Sequence, residues 1–308
     1  MVAFVCVPLV AGCGGDNERG GGEAGLPPAG GGGVLAYALP ALPANLDPLA
    51  ADSRFEQVVA RQLYEPLVSS LDGPYGGPTG MPGLATSAAP SSGRTVWTLV
   101  LRDGVLFRDG SPFNASAVLA NSRRWLTSAM GRALLPGLFA VDAPRPNEVR
   151  FIFRERAAGV PELLASPRLG IVSPQALAPA TGERSSFDPE AIGSGTGAFE
   201  LGGQSPDRLD LARNAGWWGS ALGLGPALDG ISFIVAPSGA GRLGLLQGGD
   251  AQVAEPLGPA ELGAIASEPL LRSSQAGGVG IGYEASVRGL DPVAVRLLSS
   301  VWLTTIDR

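Results

Sequence analysis

The sequence predicts an α/β protein with mixed sheets, and three observations carry that expectation. Strand-like and helix-like patterns both recur along the chain, but without the strict strand–helix alternation of a doubly wound parallel sheet. Hydrophobic residues make up 45% of the 308 residues, enough for a sizeable core in one large domain or two. The 46 glycines and 27 prolines interrupt the chain often, yet apolar patterning persists between the interruptions, which marks a loop-rich globular protein and not a disordered one. No internal repeat is visible, which argues against a solenoid.

The elements follow in order. Val34 to Leu39 is a short apolar run closed by Pro40, a first core strand. Asn45-Leu46-Asp47-Pro48 is a turn signal, since Asn or Asp before Pro favours turn initiation. From Arg54 to Leu67 the apolar residues Phe55, Val58, Val59, Leu63 and Leu67 share one helical face, stopped near Pro66. Thr95 to Arg102 alternates, with Trp97, Leu99 and Leu101 on one side and Val96, Thr98 and Val100 on the other, which predicts a strand. Asp103-Gly104 turns the chain into Val105-Leu106-Phe107, Asp109-Gly110 turns it again, and the pair of runs is expected to form a hairpin. Asn114 to Leu126 reads as a helix with Asn114 as N-cap. Glu148 to Phe153 alternates again, and Val160 to Leu164 starts a short helix behind Pro161. A Gly-rich loop from Ile192 to Gly203 enters a strand, and Leu209 to Arg213 and Gly230 to Val235 are further strands. Leu243 to Gln247 ends a helix at Gly248-Gly249, and Ala251 to Ala254 is a short buried strand. Val279 to Tyr283 is one more strand, and Pro292 to Asp307 is helical in pattern.

Composition narrows function. The net charge is −6 and the longest basic run is Arg123-Arg124, so no basic face for nucleic acid is expected. Histidine is absent, which removes His-based triads, His general bases and His metal ligands. The two cysteines are Cys6 and Cys13, leaving no thiol, disulfide or Cys metal site in the body of the chain. Ser91-Ser92 has no His partner, and residues 193–197 are not followed by the Lys-Ser/Thr pair of a phosphate loop. The expectation is a non-enzyme with no cofactor and no metal.

Met1 to Gly12 is apolar and uncharged, too short to span a bilayer, and fits the apolar region of a signal peptide. No basic residue precedes it, which leaves a start further upstream open. Leu9-Val10-Ala11-Gly12-Cys13 looks like a bacterial lipobox, in which the Cys is lipidated and becomes the mature N-terminus; the alternative is a chance apolar start. Residues 14–33, rich in Gly, then form a flexible tether, and a doubly acylated Cys13 would anchor the protein to the membrane.

Several stretches, in order, resemble the family of bacterial solute-binding proteins that serve dipeptide, oligopeptide and nickel importers, the extracellular solute-binding family 5. They are Leu46-Asp47-Pro48; Gln62-Leu63-Tyr64-Glu65-Pro66-Leu67-Val68; Pro82-Gly83-Leu84-Ala85; Thr95 to Leu99; Leu101 to Ala115; Gly195-Thr196-Gly197-Ala198-Phe199; Arg213-Asn214; Trp217-Trp218-Gly219; Leu228-Asp229-Gly230-Ile231; Gly248 to Val253; and Val295-Arg296 with Ile306-Asp307-Arg308. The residues themselves read as structural, with turn glycines and core aromatics. The resemblance implies a periplasmic-binding-protein type II-like fold: lobe I from segments of about 34–60 and 190–308, an accessory region of about 61–189, and a second lobe largely missing, since family members are longer and the last motif precedes it. A lone lobe is expected to expose apolar surface and to self-associate.

It further implies an extracytoplasmic, lipid-anchored capture protein for peptides or a related solute, working with an ABC permease and ATPase. Nickel-chelate or oligosaccharide binding are alternatives within the family. A truncated relic that binds no solute, or a membrane-tethered interaction protein, is the alternative outside it. Peptide ligands carry a carboxylate that an Arg fork can hold. Arg168, in Ser166-Pro167-Arg168, resembles the Pro-Arg of nickel-importer binding proteins, with a solvated surface Arg as the alternative. Arg132 is a second candidate. Asp52 and Ser53 lie where the family places cleft-lining residues, or else in a surface loop.

Overall fold

The computed structural model describes residues 2–5, 32–44, 46–68, 83–177, 194–223, 226, 228–266 and 271–274. In chain order the strands are β1 (Val2–Val5), β2 (Val34–Leu39), β3 (Ala85–Pro90), β4 (Val96–Leu101), β5 (Leu138–Arg145), β6 (Glu148–Phe153), β7 (Phe199–Ser205), β8 (Arg208–Arg213), β9 (Gly230–Val235), β10 (Val253–Ala254) and β11 (Leu271–Ser274). The helices are α1 (Arg54–Leu63), α2 (Ala115–Thr127), α3 (Ala129–Leu134), α4 (Val160–Leu164), α5 (Gly239–Gly248) and α6 (Pro259–Ile265). Short 3-10 turns at Pro48–Ala50, Pro167–Leu169 and Trp218–Leu222 punctuate them.

Two sheets result. The larger has the order β11-β1-β10-β2-β9-β8-β7 and is mixed: β2 runs parallel to both β9 and β10, while β8, β7, β1 and β11 pair antiparallel. The smaller, β3-β4-β6-β5, is antiparallel throughout. The central strands of the larger sheet are covered on both faces, which explains their continuous apolar character. Leu35, Tyr37 and Leu39 of β2, with Ile231 and Phe233 of β9, join a core beneath α1. Ala38 turns to the opposite face, where Leu243 and Leu246 of α5 and Leu262 and Ile265 of α6 cover it. Half of β4, by contrast, is buried by alternation: Trp97, Leu99 and Leu101 enter a separate core with Trp125 of α2 and Phe151 of β6, whose rings stack at 6.3 Å. That core gathers residues from Leu67 to Ile171 together with Leu49.

Several elements form for the reasons the sequence gives. Asn114 caps α2, its side chain accepting from the Ser116 and Ala117 amides. Gly249 closes α5 at φ +79, a left-handed position that glycine adopts without cost. The bounds of β2, β6, β9 and α4 match the sequence expectation.

Other expectations are corrected. The helix from Arg54 ends at Leu63, and Tyr64 to Pro66 run extended, because Pro66 disfavours helical geometry in the residue before it. The hairpin of Thr95–Arg102 with Val105–Phe107 does not form. β4 pairs instead with β3 and β6, and Val105–Phe107 turns back on Ser111–Phe113, with an antiparallel bridge between Leu106 and Pro112 and the Phe107 amide donating to Ser111 O at 2.9 Å. The turn at Gly104 (φ +75) is real, but a three-residue run offers too little pairing to compete with β6. Strands β3 and β5 and helices α3 and α6 had no clear periodic signal; β3, Ala-Thr-Ser-Ala-Ala-Pro, is recruited as an edge by β4 alone. β1 falls on residues that the sequence assigns to a leader. Cys13, most of the 14–33 tether, the strand expected at 279–283 and the helix expected at 292–307 lie outside the described residues.

Candidate functional site

Because β2, β9 and β10 run parallel, their carboxyl ends open on one edge of the larger sheet. In open α/β sheets this is the edge at which ligands bind. The loops leaving it are held by buried polar groups. Arg242 of α5, 5% exposed, donates from Nη1 to the carbonyls of Ala236 (2.6 Å) and Pro237 (3.0 Å) after β9, and from Nε and Nη2 to the carbonyl of Pro256 after β10. Burial lowers its pKa, and the charge of Glu261 acts the other way. Glu255, 2% exposed, directly follows β10. It accepts from Tyr37 Oη at 2.6 Å and from Arg54 Nε at 2.8 Å, so the buried charge is both paired and hydrogen-bonded.

The loop after β2 carries the rest. Asp47 caps the Pro48–Ala50 turn by accepting from the Leu49 amide at 3.0 Å, and ion-pairs with Arg124 of α2. Ser53 is the N-cap of α1 in a reciprocal capping box: its Oγ accepts from the Glu56 amide, while Glu56 Oε2 accepts from the Ser53 amide at 2.8 Å. Arg168, on the Pro167–Leu169 turn, reaches across to this loop. Its Nη2 donates to the Leu49 carbonyl at 3.4 Å and ion-pairs with Asp52 Oδ1. The Arg168 side chain is 15% exposed and that of Asp52 is 81% exposed. Arg168 Nε is buried without a hydrogen-bond partner.

The structure therefore brings Asp52, Ser53 and Arg168 together at the carboxyl edge, in a row with Arg54 and Glu255. Arg132 goes elsewhere: it is spent on the carbonyls of Leu126 (3.5 Å) and Thr127 (2.6 Å) at the end of α2. Glu255, Tyr37 and Arg242 were missed from sequence, because each acts through a partner more than ten residues away in the chain. Arg54 left a signal. A cation in the first turn opposes the helix dipole, so it implies an acidic partner outside the helix. The arrangement sets a mostly buried guanidinium against an exposed carboxylate. Among the described residues no group of three or more His, Cys, Asp or Glu is placed to hold a metal, and no helix is long and apolar enough to cross a membrane.

The family profile described as bacterial extracellular solute-binding proteins, family 5, middle region, matches residues 79–296. The chain belongs to this family. Among curated family 5 relatives, the glutathione-binding protein GsiB of Escherichia coli is 31% identical over 217 residues, covering 69% of this chain and 40% of that protein. The fold matches DppA of Helicobacter pylori, solved with the peptide STSA, at a TM-score of 0.64 and 22% identity, covering 78% of this chain and 50% of that one. It also matches NikA of Brucella suis, solved with Fe(III)-EDTA, at 0.59 and 23%, covering 70% and 42%. The type II-like periplasmic-binding-protein fold expected for this family 5 chain is thus the one it has. The chain spans half or less of the length of each of these proteins.

Proposed function

We propose that this chain is the solute-capturing part of an ABC-type importer, taking peptides or a related carboxylate-bearing solute outside the cytoplasmic membrane, with a permease and an ATPase as partners and a lipid on Cys13 as anchor. The observation that carries the reading is Arg168: a mostly buried guanidinium at the carboxyl edge whose ion-pair partner, Asp52, is almost fully in solvent. A carboxylate so exposed is held by water as well as by the guanidinium, so another carboxylate can take its place. Asp52 then stands where a solute carboxylate would stand, and the solute displaces it. Two relatives support the solute class, one named for glutathione and one solved with a peptide. The whole gene product, titrated with glutathione and short peptides by calorimetry, tests this. The expected result is saturable binding, lost in Arg168→Ala and tightened in Asp52→Asn. Binding unaffected by either substitution removes Arg168 as the anchor, and no binding of any peptide favours a relic or a tethered interaction protein. Metabolic labelling with palmitate, expected in wild type and absent in Cys13→Ser, tests the anchor.

A further inference from the structure

The two sheets meet around one carboxylate. Glu65 follows the C-cap of α1 and stands where the chain crosses from the core beneath α1 to the core of the smaller sheet. Three donors converge on it. Trp217 Nε1 donates to Oε1 at 3.1 Å, while Trp218 Nε1 and Thr196 Oγ1 each donate to Oε2 at 2.8 Å. Thr196 is flanked by Gly195 and Gly197, where a Cβ would fall 2.0 Å from Leu63 O and 2.3 Å from Gln62 O, so the loop ahead of β7 is pressed against the end of α1. Trp218 packs against both cores. On its ring, 4.2 Å from the centroid, lies the guanidinium of Arg102 from the end of β4 in the smaller sheet.

Among the described residues no cation pairs with this carboxylate. Of the charged groups on the surrounding elements, Arg102 is the one whose charge bears on it. Arg108 pairs with Glu200, and Arg213 pairs with Asp229. We propose that Glu65 with Thr196, Trp217, Trp218 and Arg102 is a proton-operated joint between the two sheets, in which protonation of this one carboxylate is linked to their docking. The indoles can only donate, so they favour the charged carboxylate; within the donor set, the Thr196 hydroxyl is the one group able to turn and accept from a protonated carboxyl. Against the donors stands burial. Glu65 as a residue is half-buried, which lets protons exchange, but its carboxylate is enclosed by the Trp217, Trp218 and Thr196 side chains, and that enclosure sets the dielectric around the charge. Burial pushes its pKa up to about 7, with Trp218, Thr196, Trp217 and Arg102 acting the other way.

The sign follows. A carboxyl whose folded pKa is raised favours the folded state fully below the unfolded value of 4.5, and that advantage is lost as pH rises through about 7. The folded chain is therefore favoured over the unfolded one when Glu65 is protonated. The absence of histidine makes it readable, because no ordinary side chain of the body titrates in this window.

The experiment is a pH series on the 308-residue chain, read by thermal melting, tryptophan fluorescence and the infrared stretch of the protonated carboxyl. The expected result is a melting temperature that falls as pH rises from about 5 to about 8, with fluorescence and carboxyl signals sharing a midpoint near 7, all absent in Glu65→Gln. Thr196→Val removes one donor to the charged form and is expected to move the midpoint upward. This arm, with the wild-type infrared titration, stands even where Glu65→Gln fails to fold. A midpoint near the ordinary carboxylate value, a wild-type profile matched by Glu65→Gln, or a midpoint unmoved in Thr196→Val overturns the proposal.

Discussion

Arg54 and Glu255 illustrate how single residues are tied to the site. Arg54 sits in the first turn of α1, where a cation is unfavourable, and is retained there by a carboxylate that is 2% exposed. Arg54→Ala takes the ion-pair partner from Glu255 and leaves the Tyr37 hydroxyl bond, so chemical denaturation should show a loss somewhat under the ~3–5 kcal/mol of breaking a fully buried pair, since Arg54 is itself partly exposed. Asp109 makes a different point. Its Asp-Gly dipeptide reads as a turn, and Gly110 is in the left-handed region. Yet the carboxylate also accepts from the hydroxyls of Ser111, Ser173 and Ser194, fastening three separate segments. Burial raises its pKa, but the hydrogen bonds of Ser111, Ser173 and Ser194 outweigh burial and leave it below the usual value. A depressed carboxylate stabilises the fold above its unfolded pKa and ceases to do so as pH falls. Asp109→Asn should therefore flatten the acid limb of the stability curve below about pH 4, measured by melts across that range.

At the scale of elements, capping and turn chemistry decide most boundaries. Asn114→Ala removes the side-chain acceptor from two amides of α2 and should cost about 1 kcal/mol in urea unfolding, with the solute site untouched. Gly249→Ala places a Cβ at φ +79, with open space around it, so the expected loss of about 1–2 kcal/mol is conformational and not steric. Periodicity was legible where it was strong: the alternation of β4 gives its buried face correctly, and Asn114 is the cap it was expected to be. It failed for β3 and β5. β3 is an edge strand whose residues are largely exposed, so it carries little apolar pattern, and its place is set by the partner it borrows. The expected hairpin failed for the complementary reason: a tight turn was recognised, but the identity of the strand that pairs across it is a long-range choice.

Across the described residues, three buried apolar clusters are joined by polar ties as well as by the Trp218 ring, which packs against two of them. Glu65 joins the first two, and Arg242 ties the turns after β9 and β10, spanning the carboxyl edge. Arg242→Ala leaves the carbonyls of Ala236 and Pro256 without their donor in a buried place, so global stability should fall by about 2–4 kcal/mol, measured by denaturant melts. Of the sequence candidates for the site, Arg168, Asp52 and Ser53 are brought to one place, whereas Arg132 is spent at the end of α2. The sequence by itself determined the class of the protein: mixed α/β, without histidine, and ordered in motifs that resemble family 5. The first two rest on composition, local periodicity and turn chemistry, and the third on the resemblance of short motifs to a known family, read a few residues at a time. Tertiary structure alone decided which strands pair, which arginine faces the carboxyl edge, and that Glu65 is enclosed by two indoles. Each of those depends on contacts between residues up to about two hundred positions apart, and on burial, which changes the energy of a charge without changing the letter that denotes it.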